Sequence, residues 1–185
     1  MIEETKRDAD ARMGKSLDVL HSSFGRIRTG RANPSLLDGI EVSYYGTDTA
    51  LNQVASITVE DARTLVISPW EKNLIPDIEK AVLKSDLGIT PSATGDLIRV
   101  PLPALTEENR KDLARQAKQE AETARVAIRN IRRDAIANIR ELVKGKEIAE
   151  DEGHRAEDDI QKLTDKRVAE VDKSLGSKEA DLLEV

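Results

Sequence analysis

The segment "ARVAIRNIRRDAIANIR" (residues 124–140) decides the fold, because isoleucine and alanine recur in it at helical spacing. Steps of three and four residues place these side chains on one side of a helix. The apolar seam extends beyond the segment in both directions, through Leu113, Ala117, Ala121, Ala124, Ile128, Ile131, Ala135, Ile139 and Leu142. The pattern predicts a helix from Thr106, a possible N-cap, to about Gly145. At 1.5 Å per residue, such a helix is roughly 60 Å long.

The six prolines divide the chain into three pieces, because all of them lie between residues 31 and 104. Proline is excluded from helix interiors, so the two proline-free pieces are the helical ones. The first carries a seam at the same spacing, formed by Ala9, Met13, Leu17, Leu20, Phe24 and Ile27. The last contains a third seam, formed by Ile160, Leu163, Val168, Val171 and Leu175. We therefore predict a three-helix bundle from residues 1–30 and 105–185.

The middle piece, residues 31–104, has the β-branched and aromatic composition of strands. The predicted strands are residues 40–46, 54–60, 64–70 and 96–103, with a short helix at 76–88. The fold class is therefore α+β with two domains, the second inserted into the bundle as a small β/α/β sandwich-like module. We expect Tyr44, Tyr45 and Trp70 to lie in the core of this module.

The chain crosses between the two domains at residues 28–35 and 99–106. Both crossings combine a helix boundary with proline. The first contains Gly30 and Pro34, and the second contains Pro101 and Pro103. Two crossings at one place favour a hinge, since contacts between domains of one chain are usually modest. The alternative is a pair of ordinary loops between firmly packed domains.

Charge is distributed unevenly along a chain whose net charge is -6. Residues 105–146 carry 11 basic and 7 acidic side chains, whereas residues 147–185 carry 6 and 13. Residues 31–104 carry 6 and 10. The positive charge is thus concentrated on the long helix.

The arginines of the long helix lie beside its apolar seam, at Arg125, Arg129, Arg132, Arg133 and Arg140. Two interpretations remain open. Either they pair with the acidic third helix inside the bundle, or they bind the phosphates of a nucleic acid, which guanidinium groups match in geometry. With only four aromatic residues, the chain can offer few side chains for stacking on bases. We therefore expect contacts with backbone and shape rather than with base sequence.

The sequence contains no pattern typical of an enzyme, a metal site or a cofactor site. There is no cysteine, no phosphate-binding loop and no zinc-binding helix motif. His21 and His154 are far apart in sequence, and we expect the acids around His154 to begin a helix rather than to bind a metal. The first residues are hydrophilic, and no apolar run approaches the roughly 20 residues of a membrane helix. We expect a cytoplasmic protein that does not act on membranes.

Several blocks of the chain together resemble bacterial-type ribosome recycling factors. They are "IRTGRANPSLLDGIEVSYYG" (27–46), "VEDARTLVISPW" (59–70), "KSDLGITP" (84–91), "DLIRVPLPALTEENRKDL" (96–113), "ARVAIRNIRRDA" (124–135) and "DDIQKLTDK" (158–166). The resemblance implies an L-shaped molecule with a flexible hinge. It also implies a monomeric factor that, with elongation factor G and GTP, splits the ribosome after termination and releases it from messenger RNA.

The resemblance further implies that the bundle binds large-subunit ribosomal RNA. The residues it carries over are Arg28, Arg31, Arg110, Arg129 and Arg132, and the geometry of the helix adds Arg125 and Arg133. The alternative function is a helical adaptor or chaperone-like protein that binds only proteins. The two functions differ in the salt dependence of ribosome binding, which is steep only for a protein that contacts phosphates.

Overall fold

The computed structural model of the protein describes residues 1–184. Its helices and strands are α1 (Ile2–Arg26), β1 (Glu41–Tyr44), β2 (Thr47–Ala50), β3 (Ala55–Asp61), β4 (Thr64–Pro69), α2 (Ile75–Lys84), β5 (Ser92–Thr94), β6 (Leu97–Pro101), α3 (Glu107–Lys144) and α4 (Glu150–Leu183). The predicted α+β class with two domains is confirmed. No helix of this part of the chain is long and apolar enough to cross a membrane.

The chain forms two compact units. The helical unit consists of residues 1–24 and 114–180, and the α+β unit consists of residues 25–113 and 181–185. The α+β unit is thus wider than the module expected at 31–104, because it includes the ends of α1 and α4 and the start of α3. The expected hinge residues, Gly30, Pro34, Pro101 and Pro103, all lie inside it.

The helical unit is a bundle of α1, α3 and α4, each with one buried seam. The seams of α1 and α3 follow the predicted periodicity, with Met13, Ile128 and Ile139 fully buried. At the two ends of the α3 seam, Leu113 and Leu142 are only half-buried. In α4, Ile160 and Val171 are fully buried, as expected, whereas Leu163, Val168 and Leu175 are half-buried. Each pair of helices is also joined by an ion pair: Lys6–Asp159 (2.7 Å), Arg12–Asp134 (3.1 Å) and Arg140–Glu157 (2.7 Å).

The α+β unit contains a four-stranded antiparallel sheet in the order β3-β4-β6-β5 and a separate hairpin, β1-β2. Ile98 and Val100 of β6 alternate with more exposed neighbours, so one face of the sheet is buried. The core on this face also includes Leu65 and Ile67 of β4, and Ile78 of α2. Most of β3 is exposed, as suits a strand at the sheet edge.

Two details of the α+β unit differ from the sequence-based expectation. Tyr45 and Trp70 do not lie in its core, since they are 77% and 66% exposed. Tyr45 lies in the two-residue turn of the β1-β2 hairpin, where it has φ 48° and Gly46 has φ 80°. Two positive φ values in succession are typical of the tight hairpin turn that matches strand twist. The Tyr45 hydroxyl donates to Glu71 Oε2 at 3.0 Å on the surface of the unit. Trp70 comes directly after the last residue of β4, where the buried positions end.

The helix ends also differ in part from the prediction. Helix α1 ends at Arg26, four residues before Gly30. Helix α2 ends at Lys84, and Gly88 lies beyond it with φ 64°. The predicted cap of α3 is confirmed, because the backbone N–H of Asn109 donates to Thr106 Oγ1 at 3.1 Å. Strands β2 and β5 were not predicted.

Candidate nucleic-acid interface

Five arginines of α3, which we call the arginine stripe, adjoin the seam that buries this helix. They are Arg125, Arg129, Arg132, Arg133 and Arg140. Because Ile128, Ile131 and Ile139 are buried between them, the packing of the bundle fixes the direction of the stripe. What distinguishes the five arginines from one another is the acceptor that each of them contacts.

Arg125 is held entirely by carboxylates. Its Nε and one terminal nitrogen donate to Asp172 Oδ1 of α4, at 3.0 and 2.6 Å, and its other terminal nitrogen donates to Glu122 at 3.1 Å. The side chain is only 19% exposed. The hydrogen bond to Asp172 raises the pKa of Arg125 above its ordinary value. Arg125 therefore connects α3 to α4 and has its charge neutralised within the bundle.

Arg129 and Arg140 also contact carboxylates, but each through one nitrogen. Arg129 donates to Glu122 at 3.4 Å, and Arg140 donates to Glu157 of α4 at 2.7 Å. The Arg140 side chain is 74% exposed. These two guanidinium groups keep further N–H donors for another acceptor, although a nearby carboxylate reduces their net charge.

Arg132 and Arg133 contact neutral amides instead. Arg132 donates to Gln161 Oε1 of α4 at 2.9 Å, and Arg133 donates to Asn130 Oδ1 at 3.4 Å. A neutral acceptor orients a guanidinium group and leaves its positive charge uncompensated. Both arginines, together with Arg140, line a shallow groove along α3, which holds three cations against the single carboxylate of Glu141; the apolar lining residues are Ile136 and Ala137. This groove is the part of the stripe best suited to phosphate.

Two predicted arginines of the α+β unit, Arg28 and Arg31, follow the end of α1, and both lie near a third arginine, Arg63. Arg28 is half-buried, and burial, followed by the nearby Arg63, lowers its pKa below the ordinary value. Arg31 is 79% exposed and lies 3.3 Å from Glu184. Both Arg31 and Arg63 line a cavity with Asp181, Glu184 and the loop that follows α1. Asp181 and Glu184 balance the formal charge of Arg31 and Arg63 in this cavity, so the cation in excess is the neighbouring Arg28.

Three predicted arginines have a buried hydrogen-bond donor without a partner. Within residues 1–184, the fully buried side-chain nitrogens and oxygens that lack a partner are the Nε atoms of Arg28, Arg110 and Arg132. Leaving a buried donor unpaired is costly, and the protein itself covers these three atoms.

The structure thus separates the seven predicted residues into two groups. Arg125, Arg129, Arg132 and Arg133 belong to the helical unit, and Arg28, Arg31 and Arg110 belong to the α+β unit. Pairing with the acidic third helix, the alternative interpretation, accounts for Arg125, and it also describes the contact of Arg140 with Glu157. No pattern in the sequence selects Arg63 or Gln161, because their position beside Arg28 and Arg132 depends on the tertiary fold.

The histidines do not form a site with these arginines. His21 Nε2 lies 3.0 Å from Ser174 Oγ, and His154 Nδ1 lies 3.8 Å from Glu157. Among the described residues, no group of three or more His, Asp or Glu side chains is arranged to hold a metal ion.

Comparison with known proteins gives one consistent family. The model of the ribosome recycling factor family matches residues 20–183. Ribosome-recycling factors from Saccharophagus degradans and Hahella chejuensis are each 60% identical to this chain over 185 residues, which covers all of both chains.

Solved structures of ribosome recycling factors are similar to this chain in fold. A solution structure of a ribosome recycling factor is 38% identical, with a TM-score of 0.78, covering all of this chain and 98% of the other. A second structure contains models of the T. thermophilus ribosome recycling factor and E. coli elongation factor G bound to the E. coli post-termination complex. Its recycling factor is 46% identical with full coverage of both chains and a TM-score of 0.70.

Proposed function

The chain belongs to the ribosome recycling factor family, and from this premise we propose that it binds the ribosome after termination and, with elongation factor G and GTP, separates the subunits. The observation that carries the proposal is the pair Arg132 and Arg133, whose charge no contacting carboxylate neutralises on a chain of net charge -6. A cationic surface on an acidic protein favours one docking orientation on a large polyanion, and the remaining negative charge disfavours binding to other RNA molecules.

The contact with large-subunit ribosomal RNA is made by Arg129, Arg132 and Arg133 in the helical unit. In the α+β unit, Arg28, Arg31 and Arg110 contribute further phosphate contacts. The contacts of Arg132 and Arg133 with neutral amides support this assignment, because a phosphate oxygen can accept from guanidinium groups whose charge is not neutralised. Arg125 is assigned to the stability of the bundle, since its hydrogen bonds to Asp172 and Glu122 all end on carboxylates.

The α+β unit is the part that we assign to elongation factor G. Residues 31–104 have a net charge of -4, which suits a protein partner better than phosphates. The solved relative contains a recycling factor and elongation factor G together on one post-termination complex. We propose the same partner here.

Movement between the two units is also part of the proposal. The backbone is proposed to bend near Gly30, Pro34, Pro101 and Pro103, the expected hinge residues. Fluorescence energy transfer between one dye in each unit should change during splitting. A constant signal would mean that the factor works without such movement.

The factor acts in the cytoplasm as a monomer and has no catalytic activity or cofactor of its own. The free energy for splitting comes from GTP hydrolysis on the partner. This assignment makes the chain a translation factor whose work is binding and movement.

The function is tested by light scattering of purified post-termination ribosomes. The protein should cause a fall in scattering, as 70S particles become subunits, only when elongation factor G and GTP are both present. Replacing GTP with a non-hydrolysable analogue should remove the multiple-turnover reaction. A protein-binding adaptor would leave the scattering unchanged in every mixture, and that result would refute the proposed function.

A further inference from the structure

Gln161 of α4 is the residue that holds Arg132, the best phosphate-binding candidate of α3. Its Oε1 accepts from one terminal nitrogen of Arg132 at 2.9 Å. We propose that Gln161 is a positioning residue for RNA binding: it orients the Arg132 guanidinium without neutralising it. This inference rests on the proposed function and adds to it a residue outside α3.

The orientation of the Gln161 amide is set by a second residue. Its Nε2 donates to Asp165 Oδ1 at 2.9 Å, one helical turn farther along α4. Since the amide nitrogen is bonded to Asp165, the amide oxygen must point toward Arg132. The three side chains form a chain of hydrogen bonds in which the carboxylate is separated from the guanidinium by one neutral amide.

The neutrality of Gln161 matters because other arginines of the stripe contact acids of the same helix. Arg125 contacts Asp172, and Arg140 contacts Glu157. A carboxylate in place of Gln161 would lose the hydrogen bond to Asp165, but it would still accept from Arg132 and would remove the net charge of that guanidinium group. Gln161 accepts from only one terminal nitrogen of Arg132, so a fixed orientation directs the other terminal nitrogen as well as the charge.

The test uses full-length variants and purified large ribosomal subunits. Gln161→Ala removes the orienting bond but leaves the charge of Arg132. It should weaken binding about threefold to tenfold, less than the loss of a charged hydrogen bond to phosphate, with an unchanged slope of log affinity against log salt. Gln161→Glu keeps an acceptor but neutralises Arg132. It should weaken binding and reduce the slope by about one unit.

Two further variants separate the possible outcomes. Gln116→Glu makes the same change of charge at an exposed position of α3, on the opposite side from Arg132 and about 24 Å along the axis. It should bind like the natural protein. In an Arg132→Ala background, Gln161→Ala should have no further effect, because the group that it positions is absent. Binding is measured well below the unfolding midpoint of each variant.

Three results would overturn the inference. If Arg132→Ala weakens binding but Gln161→Glu binds with normal affinity and slope, Gln161 does not position an RNA contact. Additive losses from Gln161→Ala and Arg132→Ala would also exclude the positioning role. If Arg132→Ala itself has no effect, both this inference and the proposed interface on α3 are wrong.

Discussion

At the scale of single residues, the role of each stripe arginine depends on the acceptor that α4 presents to it. Arg125 and Arg132 are seven residues apart and point in nearly the same direction from α3. Arg125 contacts the carboxylate of Asp172, whereas Arg132 contacts the amide of Gln161. The same side chain therefore contributes to bundle stability in one position and to a cationic surface in the other.

Arg125→Ala should therefore affect folding more than RNA binding. Its loss removes the contact with Asp172 between α3 and α4, and we expect the free energy of unfolding to fall by about 1 kcal/mol, the upper range for a partly exposed ion pair. Urea denaturation measures this change. Affinity for large subunits should remain within about twofold. An unchanged unfolding midpoint with a large loss of affinity would instead place Arg125 in the RNA interface.

Residue-scale prediction from the sequence succeeded for the seams and failed for Tyr45 and Trp70. The seams repeat over many turns, so each position is supported by its neighbours. The two aromatic residues were assigned to the core from side-chain type alone. Their exposure depends on the hairpin turn and on the residue at which β4 ends, and neither is fixed by hydrophobicity.

At the scale of elements, the packing of α3 against α4 depends on a glycine near the start of α4. Gly153 is buried, and a Cβ at this position would lie 2.5 Å from Val143 Cγ2. Valine is β-branched and has little rotamer freedom on a helix, so it cannot easily move away. Gly176 lies in the same helix, but nothing is within 4 Å of the Cβ position.

The two glycines should respond in opposite directions to alanine. Gly153→Ala should lower the free energy of unfolding by about 1–3 kcal/mol, the range for overpacking. Gly176→Ala should raise it by about 0.5–1 kcal/mol, because alanine is the better helix former. Thermal and urea denaturation of both variants measure the difference. A stabilised Gly153→Ala protein would show that α3 and α4 do not pack closely at this point.

The long elements were predictable, and the short ones were not. Strands β2 and β5 have four and three residues, and Thr47, Asp48 and Thr49 carry no apolar alternation. They form because glycine turns with positive φ, at Gly46 and Gly95, fold the chain back onto β1 and β6. Pairing with a neighbouring strand, and not local composition, defines these strands.

At the scale of the whole molecule, the confinement of proline to residues 31–104 correctly indicated two kinds of structure in one chain. It did not indicate the limits of the compact units, which lie within α1, α3 and α4. A helix can run from one unit into another without a change in composition, so the sequence carries no signal there. The distribution of charge was readable in advance, with the positive excess on residues 105–146. The sequence did not indicate, however, which arginines contact other helices of the bundle and which remain available at the surface.

The measurement that tests the central claim most directly is the salt dependence of binding to purified large ribosomal subunits, for the natural protein and Arg132→Ala. Arg155→Ala, an exposed arginine of α4 that pairs with Asp151, is the control with the same loss of charge. We predict a steep slope for the natural protein and the control. For Arg132→Ala we predict a slope reduced by about one unit and a loss of roughly 1.5–3 kcal/mol of binding free energy. Equal slopes and affinities for all three proteins would contradict the claim that the arginine stripe binds ribosomal RNA.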